Sequence, residues 1–377
     1  MTHTLGSLRR VRALSKKEIL HILRDVRVIY LALGLPVVLL ILFGYAVTFD
    51  LERLPMAVVD QDRSSASRRL VQAMTASDAF EVVRVLPSSS EVEPRFRRGE
   101  LKAALVIPSD LGRKLGRGEP GEAQLLLDGT DGVTTRIAVG YAMGISQAES
   151  RRLLEQSGLV LEPAISARVR VRFNPGMRSA RFIVPGLIAV ILAIMAVLLT
   201  ALTVAREWER GSMEQLFATP VRRLEVILGK LLPYVVLGLV QVLLVTTVGA
   251  WLFGVPMVGS LGLLFGAAFL FLMGMLGQGL LISVITKNQQ VATQVGVVSS
   301  MLPTLLLSGF LFPIQNMPPF LQVISLVIPG RYFIVVLRGV LLKGNGLDVL
   351  WPQFLALSLF AVAMLTISTA RFQRRLA

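Results

Sequence analysis

Residues 182–220 read FIVPGLIAVILAIMAVLLTALTVA followed by REWERGSMEQLFATP. The first part, 182–205, has no ionisable side chain and exceeds the ~20 apolar residues that cross a bilayer as a helix. The second part packs Arg206, Glu207, Glu209, Arg210 and Glu214 behind it, and a further uncharged run begins at Leu231. Charges set between two membrane-length runs must lie in water or against protein. Residues 206–217 contain no proline, whereas Ala218-Thr219-Pro220 stops a helix, because the residue before proline is pushed out of the helical region. Glu207 and Arg210, three apart, share a face of that helix. On the residues alone it is either a docking knob for a soluble partner or a solvated loop helix that follows the charge rule for cytoplasmic loops.

The composition agrees that the chain is an integral membrane protein. Of 377 residues 54% are hydrophobic, and mean hydropathy is +0.67, against about 45–50% apolar residues in a soluble domain. A net charge of +15 would suggest nucleic acid in a soluble protein. Here the apolar runs are too many, and Lys and Arg are expected in the flanks of spans, so no nucleic acid is expected. With no cysteine and with only His3 and His21 as histidines, disulfides, thiolate chemistry and a Ser-His-Asp triad within the later runs are excluded. No Gly-x-x-x-x-Gly-Lys-[Ser/Thr] occurs, so the chain has no P-loop. It is read as non-catalytic, with no cofactor of its own.

Working outward, residues 1–27 predict an amphipathic interfacial helix: Leu8, Val11, Leu14, Ile19, Ile22, Leu23 and Val26 recur at helical spacing among Arg9, Arg10, Arg12, Lys16, Lys17 and Arg24. Residues 28–49 form the first span. Residues 50–181 are dense in both signs of charge and hold no membrane-length run. They predict a soluble α/β domain, with strands at 56–60, 80–86, 103–107, 123–127 and 169–173 and helices at 65–74, 91–99, 110–115 and 130–156. Asp60, Asp62 and Asp128 do not make a calcium loop, which needs a glycine at its sixth place and a glutamate at its twelfth; an N-cap role is preferred. Spans follow at 182–205, 231–254, 261–285, 291–312 and 349–370, with 206–230 as a charged segment and 371–377 as a basic tail. No run contains an ionisable residue, which disfavours an ion channel or a proton-coupled carrier. Gln278, among Gly274, Gly277 and Gly279, is a candidate pathway residue, and Gly262 with Gly266 hints at close helix packing. Between the fifth and sixth spans, 313–330 is broken by Pro313, Pro318 and Pro319, and its apolar stretch 320–328 is too short to cross. It predicts a re-entrant outer element that includes Leu321 and Ile324. The fold class is therefore a polytopic α-helical membrane protein of six transmembrane helices, with an α/β domain inserted between the first two.

The stretch Glu207-x-x-Arg210-Gly211-Ser212-Met213-Glu214-Gln215-Leu216, with Thr219-Pro220 behind it, resembles the coupling segment of type-2 permeases of ATP-binding-cassette (ABC) exporters. Ser212 stands where that family often has Thr, and both carry a hydroxyl. Lys17-Glu18 and Arg24-Asp25 are similar to the family's pre-span interfacial helix; Asp60-Gln-Asp62, Arg98-Gly-Glu100, Ile107-Pro108 and Asp128-Gly-Thr130 to its extracytoplasmic domain; and Arg331-Tyr332 and Leu337-Arg338-Gly339 to its C-terminal region. The resemblance implies a permease subunit that exports a hydrophobic or amphipathic substrate across the cytoplasmic (inner) membrane of a bacterium. Glu207, Arg210, Gly211, Ser212, Met213, Glu214, Gln215, Thr219 and Pro220 would face a separately encoded ATPase, which binds the ATP and magnesium. A second permease chain would complete a homo- or heterodimer in contact with membrane lipids, and the external domain leaves room for a periplasmic adaptor. Pro313, Pro318, Pro319, Leu321 and Ile324 would then form an outer gate. The competing reading is a membrane-anchored sensor or mechanotransmission protein acting through its extracytoplasmic domain.

Charge bias orients the spans. Arg9 to Arg27, Arg206 to Lys230, Lys287 and Arg371 to Arg375 mark one side, whereas 255–260 on the other has no Lys or Arg, which predicts both termini in the cytoplasm. The chain has no cysteine of its own, so single cysteines test this. At Ser89 and Gly118 they are expected to react with an impermeant thiol reagent added outside; at Ser212 one is expected to stay unlabelled, and its labelling would reverse the topology.

Overall fold

The computed structural model describes residues 2–46, 53–77, 79–130, 132–156, 173–174, 178–211 and 221–372. The chain divides into two compact units, one of Met1–Thr48 with Val171–Ala377 and one of Phe49–Arg170.

The unit Phe49–Arg170 is built on a four-stranded sheet of order β2-β1-β3-β4, from β1 (Leu54–Asp60), β2 (Phe80–Val85), β3 (Ala103–Ile107) and β4 (Gln124–Leu127). β1 pairs in parallel with β2 and β3, and β3 pairs antiparallel with β4, Ala103 opposite Leu127. The two central strands are short continuous apolar runs because both faces of the sheet are covered. Met56, Val58, Phe80, Ala103, Leu105 and Ile107 pack with Leu70 and Met74 of helix α4 (Ser65–Thr75) on one face. Ala57, Val59 and Ala104 pack with Leu86, Val92 and Leu101 on the other. Ser64 caps α4 by accepting the Ala66 and Ser67 amides at 3.1 Å. Asp60 accepts the Asp62 and Arg63 amides and the Ser67 hydroxyl, and Asp62 accepts the Gly112 amide. Lys102 donates to Asp128 at 2.7 Å; with Thr130 it holds that carboxyl well below its ordinary range, at about 2. Helices α5 (Val92–Arg97), α6 (Leu111–Gly116) and α7 (Gly132–Gln156) complete the unit. The strand expected at 169–173 falls, except for Phe173, outside the described residues.

The other unit is helical. Helix α1 (Thr2–Arg24) is followed by α2 (Val26–Ile29), a π-turn (Tyr30–Gly34) and α3 (Leu35–Ala46). The π-turn precedes Pro36, which has no amide for the carbonyl one turn back, and the extra residue absorbs that gap. α8 (Ser179–Glu209) is the centre of the unit, buried along most of its length. Around it stand α9 (Arg223–Phe253), α10 (Leu261–Thr286), α11 (Gln289–Leu306) and α14 (Leu347–Arg371), with α12 (Pro319–Ser325) and α13 (Pro329–Arg338) between the last two. Four described helices, α8, α9, α10 and α14, are long and apolar enough to cross a membrane, or up to five if the bent pair around α12 and α13 counts as one span. The first run appears as the shorter apolar helix Tyr30–Ala46. The protein is a polytopic, mostly helical membrane protein.

Three sequence expectations change. The charged segment 206–230 is not all outside the flanking helices: α8 runs on to Glu209 and α9 starts at Arg223, so both helices carry ionisable residues, of which Glu207 pairs with Lys230, Arg206 with Asp25 and Glu225 with Arg10. The break after α11 reaches deeper than 330. α12 and the helical stretch Pro329–Lys343 meet at 80°, and it is α13 that is buried, with Phe333 stacked on Phe271 at 4.3 Å. Finally, Gly262 and Gly266 mark no tight contact, since a Cβ there would meet nothing closer than 3.5 Å. The close approach is at Gly279, where a Cβ would meet the Val197 carbonyl oxygen at 2.5 Å and would also strike the Thr200 hydroxyl. Lipid gives spans no hydrophobic drive to associate, so backbones meet where side chains are smallest. Gly279→Val is therefore expected to cost about 1–3 kcal/mol, as overpacking does, and to lower the thermal midpoint in detergent, whereas Gly262→Ala should leave it unchanged.

Candidate functional site

The ends of α8 and α9 that flank 210–222 are joined by α1. Arg10 forks onto Glu225, Nε to Oε2 at 2.9 Å and Nη2 to Oε1 at 2.8 Å. The same carboxylate accepts the Arg222 amide at 2.9 Å and so closes the first turn of α9. The pairing pushes the Arg10 pKa up, away from any titration. One turn along, Gly229 lets the helices touch, since a Cβ there would lie 2.6 Å from Leu14 Cβ, and Ser15 donates to the Gly229 carbonyl at 3.0 Å. Next, Lys230 Nζ reaches Glu18 at 3.1 Å and also bonds Glu207 of α8. Glu18 and Lys230 are each 4% exposed. Lys17 approaches the other oxygen of Glu207 at 3.5 Å, and Arg206 lies 3.7 Å from Asp25.

The last turn of α8 is tied elsewhere too. Glu209 accepts the Gln289 amide at 2.7 Å, at the start of α11. Trp208 takes Lys287 over its ring at 5.1 Å and packs its edge on Phe372 at 6.4 Å. One end of the bundle thus gathers α1, α8, α9, the α10–α11 turn and the end of α14 around the point where α8 stops at Arg210 and Gly211 turns with φ of 69°.

The ion pairs form a charged joint that ties together the helix ends flanking 210–222. Residues 27–370 match the family model described as ABC-2 family transporter protein. The chain belongs to the ABC-2 transporter family. It is 37% identical over 377 residues, all of both chains, to the probable multidrug ABC transporter permease YbhS of Escherichia coli (strain K12). It is 31% identical over 367 residues to YbhR of the same strain, covering 97% of this chain and 99% of that one, and 30% identical over 333 residues to the inner membrane transport permease YhhJ, covering 85% of each. It is the permease subunit of an ABC transporter, and its family implies an ATPase subunit as partner. The sensor reading does not account for relatives that are permeases over their whole length.

In this permease Glu207 turns inward to Lys230 and Lys17, while Arg210 is exposed. Ser212, Met213, Glu214, Gln215, Thr219 and Pro220 lie outside the described residues. Of the interfacial set, Lys17, Glu18 and Asp25 are ion-paired and Arg24 is exposed. The apolar stripe read on α1 is two stripes: Ile22 is buried and Leu14 packs inward, but Leu8, Ile19, Leu23 and Val26 are exposed. Pro318 and Pro319 open α12, Pro313 opens a 3-10 turn, Leu321 is half-buried and Ile324 is exposed. Gln278 donates to Ser299 Oγ at 3.3 Å and so links α10 to α11. Arg10, Glu225 and Lys230 were missed by sequence reasoning. The one signal for them was Glu18, an acid at the helical step between Leu14 and Ile22.

Removing one partner of a buried pair leaves a charge without compensation, typically at a cost of about 3–5 kcal/mol. Lys230→Met is expected to lose about 3 kcal/mol, read as a lower thermal midpoint in detergent, and Glu18→Gln added to it should restore part of that loss. A single variant as stable as the parent would show that the joint carries no load.

Proposed function

We propose that this permease is one half of a dimeric exporter that moves a hydrophobic or amphipathic substrate out across the inner membrane of a bacterium, driven by ATP hydrolysis in a separate subunit. The supporting observation is the buried Lys230 joint, which makes the segment 210–222 a lever whose two flanks cannot move apart independently. The ATPase docks on that segment through Arg210, Gly211 and the stretch 212–220, and it alone binds ATP and magnesium. Glu207 positions the segment from inside and does not touch the ATPase.

In this reading six helices span: Val26 to Ala46 across its π-turn, then α8, α9, α10, α11 and α14. α11 has 18 residues, about 27 Å at ~1.5 Å each, close to the ~30 Å hydrocarbon core. Both termini lie in the cytoplasm and the α/β unit lies outside. Around α12 an apolar row, Phe320, Val323, Ile324 and Val327, is exposed among the described residues, and α11 shows another, Val291, Val295, Val298, Leu302 and Leu306. Such faces suit lipid or a second permease, and the α12 hairpin then acts as the outer gate. The uncharged middle of the spans suits cargo that carries its own apolar surface, in keeping with the multidrug permeases among its relatives.

The experiment is coexpression with a candidate ABC ATPase subunit from the same organism. The pair Arg210→Glu with Glu214→Arg should cut copurification of the ATPase at least about tenfold while the permease still inserts, because mispaired charges at an interface cost several kcal/mol. Normal copurification and normal drug-stimulated ATP hydrolysis would make 206–220 an ordinary loop.

A further inference from the structure

The α/β unit holds a cavity of about 440 Å³, within the ~300–1,000 Å³ of small-molecule sites. Its floor is aliphatic: Leu70 and Met74 of α4, Leu105 of β3, Leu111 and Leu115 of α6, and Leu125 of β4. Its roof is α7. The sheet-facing residues of α7 recur as Ala138, Ala142, Ile145, Glu149 and Leu153, in steps of four, three, four and four. Ala138, Ala142 and Ile145 pack on the sheet, while Ala142, Glu149 and Leu153 line the cavity. A carboxylate therefore occupies an inward position of an apolar stripe, and its side chain is only 13% exposed.

Among the described residues, the ion pair of Glu149 is with Arg152 at 3.8 Å, and that arginine side chain is 73% exposed. A loose pair between neighbours on one helix offsets little of the cost of drawing a carboxylate out of water. Arg69 is the other charged residue of the lining and is exposed, so its guanidinium keeps its water. The least hydrated charge facing the cavity is thus negative, and it stands over an aliphatic floor.

We propose that this cavity binds an amphipathic organic cation, with its apolar body on the floor formed by Leu70, Met74, Leu111 and Leu125 and its cationic centre at the Glu149 carboxylate. A metal ion would need further acids, and among the described residues Glu149 is the only acid in the lining. A purely apolar ligand would leave Glu149 more poorly solvated than before. The inference stands on the cavity and not on the transport reading.

The test uses the full-length protein in nanodiscs and equilibrium dialysis of tetraphenylphosphonium, with empty nanodiscs as background. Saturable uptake is expected, weakened at least tenfold by Glu149→Gln. Arg152→Gln, a change on an exposed side chain, should tighten binding severalfold by removing the competing cation. Ala142→Phe should abolish binding by filling the cavity, with an unfolding midpoint within a few degrees of the parent as the check on folding. Tetraphenylborate, of the same shape and opposite charge, should show no saturable uptake. The proposal is overturned if the parent protein takes up no tetraphenylphosphonium above background, if Glu149→Gln binds it as the parent does, if Arg152→Gln leaves the affinity unchanged, or if tetraphenylborate binds equally well.

Discussion

An ammonium group shut between two carboxylates sets the geometry of the membrane unit. Lys230 belongs to α9, Glu18 to α1 and Glu207 to α8. Withdrawing such ions from water costs several kcal/mol each, and the attraction compensates only while all partners stay in place. The three helices are therefore fixed together at one end, and the lengths of α8 and α9 carry that constraint into the bundle. The ends of α8 and α9 are thus held together where the chain between them leaves the bundle.

Away from that end, close contact replaces charge. Gly279 lies on Val197 and Thr200 of α8, and Gly296 of α11 lies on the same Val197. Ser368 of α14 donates to the Gly277 carbonyl of α10 at 2.8 Å. In lipid, dispersion and hydrogen bonds of this kind are what hold helices together. The bundle thus has two regimes, an ionic base and a glycine-packed middle, with α12 carrying an apolar face that the described residues leave exposed.

The sequence is most legible where the signal is local. β1 and β3 are short apolar runs ended by Asp60 and Pro108, and the cap at Ser64 is visible as a hydroxyl before a helical stretch. It is less legible where pairing is distant. Arg10 and Glu225 are 215 residues apart, and each alone looks like an ordinary flank charge of a span. α13 runs beyond the element read at 313–330, and its start is marked by a proline at the first helical position, which begins a helix. The stripe on α1 misled because residues facing lipid and residues facing α9 are both apolar, and spacing alone does not divide them. Glu149 stood within the predicted helix 130–156, but its inward placement emerges only when the sheet shows which face α7 turns to it.

The joint between α1 and α9 also bears on how the chain is made. Arg10, Ser15 and Glu18 leave the ribosome 212 to 215 residues before their partners Glu225, Gly229 and Lys230. At about 5–20 residues per second, that is an interval on the order of ten to forty seconds. Through it, α1 has polar groups whose partners are not yet made, and an exposed apolar face in Leu8, Ile19 and Leu23. The bilayer surface satisfies both, with headgroups for the charges and acyl chains for the apolar face. The salt bridges of α1 can therefore close only after α9 has been made.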